Sequence, residues 1–293
     1  MTDNHFPDRT SNSHPSRRNV LWTGAAAALA GAFSTRLMAV ADVTVAAKAG
    51  NEYGGLPMGI QTYTLRSLSF DKMLETVTRT LKLTEVEIFP GHHAGLSAQQ
   101  VKDKLAQYGL KASAYGVVPF KKDPAANKRY FELGKLLGVE SLSCDPEPDA
   151  FDTLDKQVEE YGIAAAIHPH GPGARWVTIQ QIHDAVKDHH KLIGLCNDTG
   201  HLIRAEQDPV EACQVFKDRL YGVHFKDFKK AGEKFEDCVL GEGLLDVDAL
   251  TKTLISMKFQ GPLSLEYEGS EPVEASVKCL DRVKQAAAKA RGT

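Results

Sequence analysis

Three observations predict that this chain is an α/β protein folded as a single closed (β/α)8 barrel. Short apolar runs alternate with amphipathic stretches eight times along residues 58–293, and such alternation builds a parallel sheet with right-handed helical crossovers. About 250 residues follow the first 41, the usual size of one such barrel. No G-x-G-x-x-G follows the first apolar run, so the fingerprint of an open dinucleotide-binding sheet is missing.

Residues 1–41 stand apart from the fold. Ser16-Arg17-Arg18-Asn19-Val20-Leu21 is a twin-arginine pattern, an Ala-rich apolar stretch runs on through Phe33, and Ala39-Val40-Ala41 supplies a small-x-small cleavage signature. The apolar stretch is short for a span of about 20 residues, and Arg36 breaks its tail. A cleaved signal peptide is therefore expected, with the twin-arginine export machinery as a partner and the periplasm as destination. An uncleaved signal would leave a membrane anchor instead. Residues 42–55 are expected to be a flexible mature N-terminus, and 56–293 the barrel.

Strands are predicted over 58–63, 85–89, 111–118, 141–144, 163–168, 193–197, 221–226 and 263–267, each a short apolar run of the kind buried on both faces. Amphipathic helices are predicted over 70–81, 98–108, 124–137, 151–161 and 179–189. Gly109-Leu110, Gly138-Val139 and Gly162-Ile163 read as helix C-caps feeding the next strand. Five cysteines (Cys144, Cys196, Cys213, Cys238, Cys279) form no CxxC pair, so neither a disulfide framework nor a zinc ribbon is expected. The chain carries 35 Lys and Arg against 38 Asp and Glu; without the four arginines and two aspartates of residues 1–41 its net charge is −5. That balance provides no electrostatic footprint for nucleic acid.

The last four strands all end in metal-binding or acid/base side chains. They read Ile-Ala-Ala-Ala-Ile-His168-Pro-His170, Ile-Gly-Leu-Cys-Asn-Asp198-Thr-Gly-His201, Tyr-Gly-Val-His224-Phe-Lys226-Asp227 and Leu-Ser-Leu-Glu266-Tyr-Glu268. The carboxyl ends of barrel strands share one rim, where such barrels build their active sites. A set of two imidazoles (His168, His224) and two carboxylates (Asp198, Glu266) suits one borderline divalent ion, Mn, Zn, Co or Fe, better than Mg. Such an ion would polarise a carbonyl or hydroxyl as a Lewis acid. His201 and Asp227, each three residues after a ligand, are expected to orient the ligands or contact substrate. Glu87 is expected at the barrel mouth, because a charge deeper in the core is costly unless paired. His92 and His93, in the loop after strand two, are pocket candidates. Gly171-Pro-Gly-Ala-Arg175-Trp176 offers a lid with Trp176 to stack on a substrate, although plain turn chemistry explains its glycines as well. Gly241-Glu242-Gly243 signals a tight turn close to the substrate.

These residues resemble the sugar phosphate isomerase/epimerase-like family, the xylose-isomerase-like TIM barrels, over nearly all of the chain after the signal segment. The marks are Gly59-Ile-Gln-Thr-Tyr-Thr-Leu-Arg66, Asp198-Thr-Gly-His201, Val223-His224-Phe-Lys-Asp227, Leu240-Gly-Glu-Gly243 and Leu265-Glu266. The resemblance implies a divalent metal held by Glu, Asp, His and Glu, of which Asp198, His224 and Glu266 match three. The fourth departs: where the family usually has Ile-Glu-Asn-His on strand five, this chain has Ile167-His168-Pro169-His170. In the family's epimerases that glutamate and the one on strand eight face each other across the substrate carbon. Its replacement points to a one-base reaction, with Glu266 as the base and Glu268, His170, Lys226 or Glu87 as second groups.

The expectation is therefore a metal-dependent sugar isomerase or epimerase type of enzyme. It would act on free or keto sugars by proton transfer beside a metal-polarised carbonyl. Hydration or elimination of water at a keto-sugar (keto-glycal) is the alternative on the same scaffold. A catalytically silent sugar-binding barrel and an endonuclease-IV-like phosphodiesterase are the other classes; export and an acidic chain speak against DNA as substrate. Oligomeric state is not legible in the residues.

Overall fold

The computed structural model describes residues 52–292; the twin-arginine motif and residues 1–41 lie outside them. Eight parallel strands close into a barrel: β1 (Met58–Gln61), β2 (Glu85–Ile88), β3 (Lys111–Phe120), β4 (Ser141–Pro146), β5 (Ala164–Ile167), β6 (Ile193–Asp198), β7 (Leu220–Phe225) and β10 (Leu263–Leu265). They follow one another in chain order around the ring, and β10 closes it against β1 through Met58 opposite Leu263. All eight predicted strands are present.

Local chemistry sets the connecting helices. Ser97 and Gln100 form a reciprocal capping box before Ala98–Gln107. Asp123 caps Pro124–Leu137, whose proline occupies a first-turn position where its missing N–H costs nothing. That helix and Phe151–Tyr161 both end on glycines, Gly138 and Gly162, with φ of 75° and 66°, the left-handed conformation that favours a residue without Cβ. Isoleucine, leucine and valine from the strands pack outward on these helices. Ile60, Val86, Ile88, Leu142, Ile167, Val223, Phe225 and Leu265 are all fully buried, each contributing about 1.5–3 kcal/mol of apolar transfer.

Three features differ from expectation. The predicted helix over 70–81 is α-helical only for Phe70–Glu75 and then widens to a π turn over Thr76–Thr80. Here Thr76 and Thr78 hydroxyls donate to the Lys72 and Leu74 carbonyls and so compete with the regular ladder. After β7 the chain forms an antiparallel hairpin, β8 (Asp227–Ala231) and β9 (Lys234–Cys238), which no predicted strand covers. Finally, Tyr53 is a buried member of the core, so packing begins inside the segment expected to be flexible.

Candidate functional site

The site is assembled by strand ends. His168 follows β5, Asp198 ends β6, His224 lies near the end of β7 and Glu266 follows β10. One ligand atom from each lies within 4.8 Å of all the others, and all four residues are buried. His168 Nε2 is 3.1 Å from His224 Nδ1 and 3.2 Å from Asp198 Oδ2. His224 Nδ1 is 3.6 Å from Asp198 Oδ2 and 3.2 Å from Glu266 Oε2. Four ligands at metal–donor distances of about 2.1 Å would be spaced about 3.4 Å apart in a tetrahedral shell. The four separations above, 3.1–3.6 Å, lie close to that spacing.

Neighbouring bonds aim the donors. Asp198 Oδ1 accepts the His201 amide at 2.7 Å as N-cap of the short helix Thr199–Arg204, which leaves Oδ2 pointing into the cluster with no hydrogen-bond donor. His224 Nε2–H donates to Glu87 Oε2 at 2.8 Å. A carboxylate on the far nitrogen fixes the tautomer and turns the Nδ1 lone pair toward the cluster. Glu87 is itself held by Ser143 on β4 and, at 3.0 Å, by Ser264 on β10. Burial opposes its charge, but His224 and the two serines hold the Glu87 carboxyl below its ordinary range. An unpartnered buried oxygen and two closely opposed imidazole nitrogens leave a concentration of lone pairs that a cation would satisfy. The residues fit a divalent metal.

Above this floor lies a cavity of about 430 Å³. One wall is apolar, built from Tyr63, Phe89, Gly116 and Val117; the other carries His168, His170, His201, Glu266 and Glu268, with Gln61 between. Burial and the neighbouring histidines push His170 down to about 3, and burial likewise brings His201 down to about 4, so both imidazoles are neutral at pH 7. Arg204 lies 3.2 Å from His201 Nδ1 and can only donate, which places the His201 proton on Nε2. Burial works against ionised Glu266, yet the Lys226 ammonium and His224 outweigh it and hold the carboxyl at about 2.

Several predicted residues sit elsewhere. Trp176 is no lid: it is buried, edge-on to Phe151, with its indole N–H on the Pro146 carbonyl at 3.0 Å. Asp227 does not reach the pocket. Its carboxylate accepts the backbone amides of Gly241, Gly243, Leu244 and Leu245 at 2.9–3.1 Å. That explains Gly241-Glu242-Gly243, because a Cβ on Gly243 would collide with Asp227. His92 is turned from the donor cluster, its Nε2 3.0 Å from the Leu68 carbonyl. Glu87 lies beneath the cluster as a buried partner of His224 rather than at the mouth. Lys226 is fully buried between Glu266, at 3.5 Å, and Glu268, and does not line the cavity. Reading the sequence alone missed Gln61, Tyr63 and Phe89 as pocket walls, although they too stand at strand ends and the same rim argument applies. Nothing local signals Gly116 or Val117.

The family model for the xylose isomerase-like TIM barrel matches residues 148–286, the segment carrying all four donors. The fold is a TIM barrel of the xylose isomerase-like type. The chain is 30% identical over 135 residues to an inosose dehydratase of Lactiplantibacillus plantarum, an alignment covering 40% of this chain and 44% of that protein. It spans about half or less of the length of the curated relatives it matches. Among solved structures, the apo 3-keto-D-glucoside 4-epimerase of E. coli superposes with a TM-score of 0.62 at 15% identity, over 78% of this chain and 99% of the other. An IOLI protein with a bound zinc atom superposes with a TM-score of 0.63 at 17% identity, over 80% of this chain and 97% of the other. At such identities these two likenesses establish the fold.

Proposed function

We propose that this protein is a metal-dependent enzyme that moves a proton at the carbon beside the keto group of an uncharged sugar. The observation that carries the reading is the buried four-donor cluster at the floor of a cavity that also exposes Glu266 and Glu268. A divalent ion held by His168, Asp198, His224 and Glu266 would draw electron density from the keto oxygen and acidify the neighbouring C–H. Glu266 is ionised at neutral pH and needs no prior deprotonation to accept that proton. The His201 Nε2–H and the neutral His170 offer hydrogen bonds to ring hydroxyls, and Tyr63 and Phe89 present aromatic surface to the C–H face of a sugar. No arginine or lysine lines the cavity among the described residues, which favours free sugars over sugar phosphates.

The placement of the carboxylates bears on the type of reaction. Glu266 and Glu268 both follow β10, so they approach a bound substrate from one side; the cavity has no carboxylate on the β5 side, where His168 and His170 stand. Epimerisation by two bases needs groups on opposite faces of one carbon. The geometry thus favours one-base outcomes, aldose–ketose isomerisation or loss and gain of water beside the ketone. The similarity to an inosose dehydratase supports the second of these. A phosphodiesterase of the three-metal type would need more donors than the single cluster found at this pocket among the described residues. Export to the periplasm, argued from residues 16–41, belongs to the same proposal.

The test is proton NMR of metal-loaded protein in D₂O with a panel of neutral keto sugars. Deuterium uptake beside the carbonyl together with a new product is the expected result. Bound metal with no exchange on any sugar would sink the reading in favour of a sugar-binding barrel.

A further inference from the structure

A second cavity, of about 460 Å³, opens on the same rim beside the first. Arg66, Leu68 and Phe70 after β1, and Phe89, His92 and Leu96 after β2, line it. The two cavities share one wall: Phe89 borders both, its ring edge-on to Tyr63 at 4.8 Å. Arg66 bridges them as well. Its guanidinium stacks 4.2 Å over the Tyr63 ring and donates to the carbonyls of Tyr63 at 2.9 Å and Glu268 at 3.3 Å. No ion pair involves Arg66 among the described residues, so its remaining donor capacity lies at the junction.

Resting on the function proposed above, we propose that this second cavity is a subsite for a further sugar ring, so that the preferred substrate is a keto-disaccharide rather than a keto-monosaccharide. Aromatic and aliphatic surface from Phe70, Phe89 and Leu96 interleaved with the polar groups of Arg66 and His92 matches a pyranose, which has C–H faces and a hydroxyl rim. Phe89 is common to both linings, so a ligand whose reacting ring sits over the donor cluster reaches the second cavity by extending past that ring. The charge argues against a phosphate there. Asp71 and Lys104 both line the cavity and neutralise each other as an ion pair at 2.5 Å, and carbonyls already take two of Arg66's donors, leaving the others for hydroxyls.

Saturation-transfer NMR of the full-length protein with an unoxidised disaccharide reads the subsite without turnover. Contacts to protons of both rings are expected; contacts confined to one ring, or no binding, would overturn the subsite. In kinetics, the ratio of kcat/KM for a keto-disaccharide to that for the matching keto-monosaccharide is expected to exceed about ten and to fall at least fivefold in Leu96→Trp, which fills the groove, and in Arg66→Ala. A ratio near one, or one that both variants leave unmoved, refutes the proposal. If both rings make contact but neither keto sugar turns over, the function proposed above fails and the subsite stands. A keto-sugar phosphate outperforming the disaccharide would identify Arg66 as an anion site and refute it equally.

Discussion

At the residue scale the site rests on a few buried carboxylates with different partners. Glu266 touches both the donor cluster and the cavity, so Glu266→Gln should leave the circular dichroism spectrum intact and lower turnover by at least about 10³; near-native kcat would remove it as the base. Glu87 acts through His224. Glu87→Gln should weaken metal affinity by about 10–100-fold, as loss of such an imidazole partner does, measured by competition with a chelator, while the pocket walls stay in place. Asp237 differs from both: its oxygens are buried and unpartnered, and burial brings its carboxyl up to about 7. Its unfolded-state value is near 4, so between about pH 4 and 7 folding takes up a proton. Stability from this residue is complete below about pH 4 and lost as pH rises through 7. Urea unfolding of Asp237→Asn against the parent should show the variant gaining roughly 1–2 kcal/mol at pH 8 relative to pH 4. A pH-independent difference would refute this.

At the element scale, strand ends converge because a parallel barrel puts every carboxyl terminus on one rim. The hairpin Asp227–Ala231 and Lys234–Cys238 was not legible because its strands are five residues each and mostly charged or exposed. Its signal was the two-residue Gly232-Glu233 turn, a hairpin connection type. Asp227 anchors the segment that follows it. Asp227→Ala strands four amides at once and should cost at least about 3 kcal/mol, read as a shift of the urea midpoint. A loss under 1 kcal/mol would show that water replaces the carboxylate. Asp198-Thr-Gly-His201 also works as an element: one carboxylate starts a helix through Oδ1 and presents Oδ2 to the cluster. The motif announced the candidate ligand but not the cap.

At the scale of the whole molecule, four donors from four strands tie one half of the barrel together through the site. A metal that binds only the folded chain adds stability by linkage, about 2.7 kcal/mol at a hundredfold excess over Kd. Chelation should therefore lower Tm by several degrees, restored by Zn or Mn in calorimetry; an unchanged Tm would mean that the cluster holds no ion. The sequence by itself determined the eight strands, their order and which four strand-end side chains converge, because burial periodicity and strand-end position are local and survive in one dimension. Only the tertiary structure decided what each polar side chain meets. Glu87 turned out to support His224 because β2 faces β7 across the barrel, and Trp176 fills a core gap because the segment after β5 folds back on Pro146. Asp227 holds a loop, and Phe89 divides two cavities. Such pairings join residues tens to well over a hundred positions apart, and they depend on barrel closure and register, which no window of sequence contains.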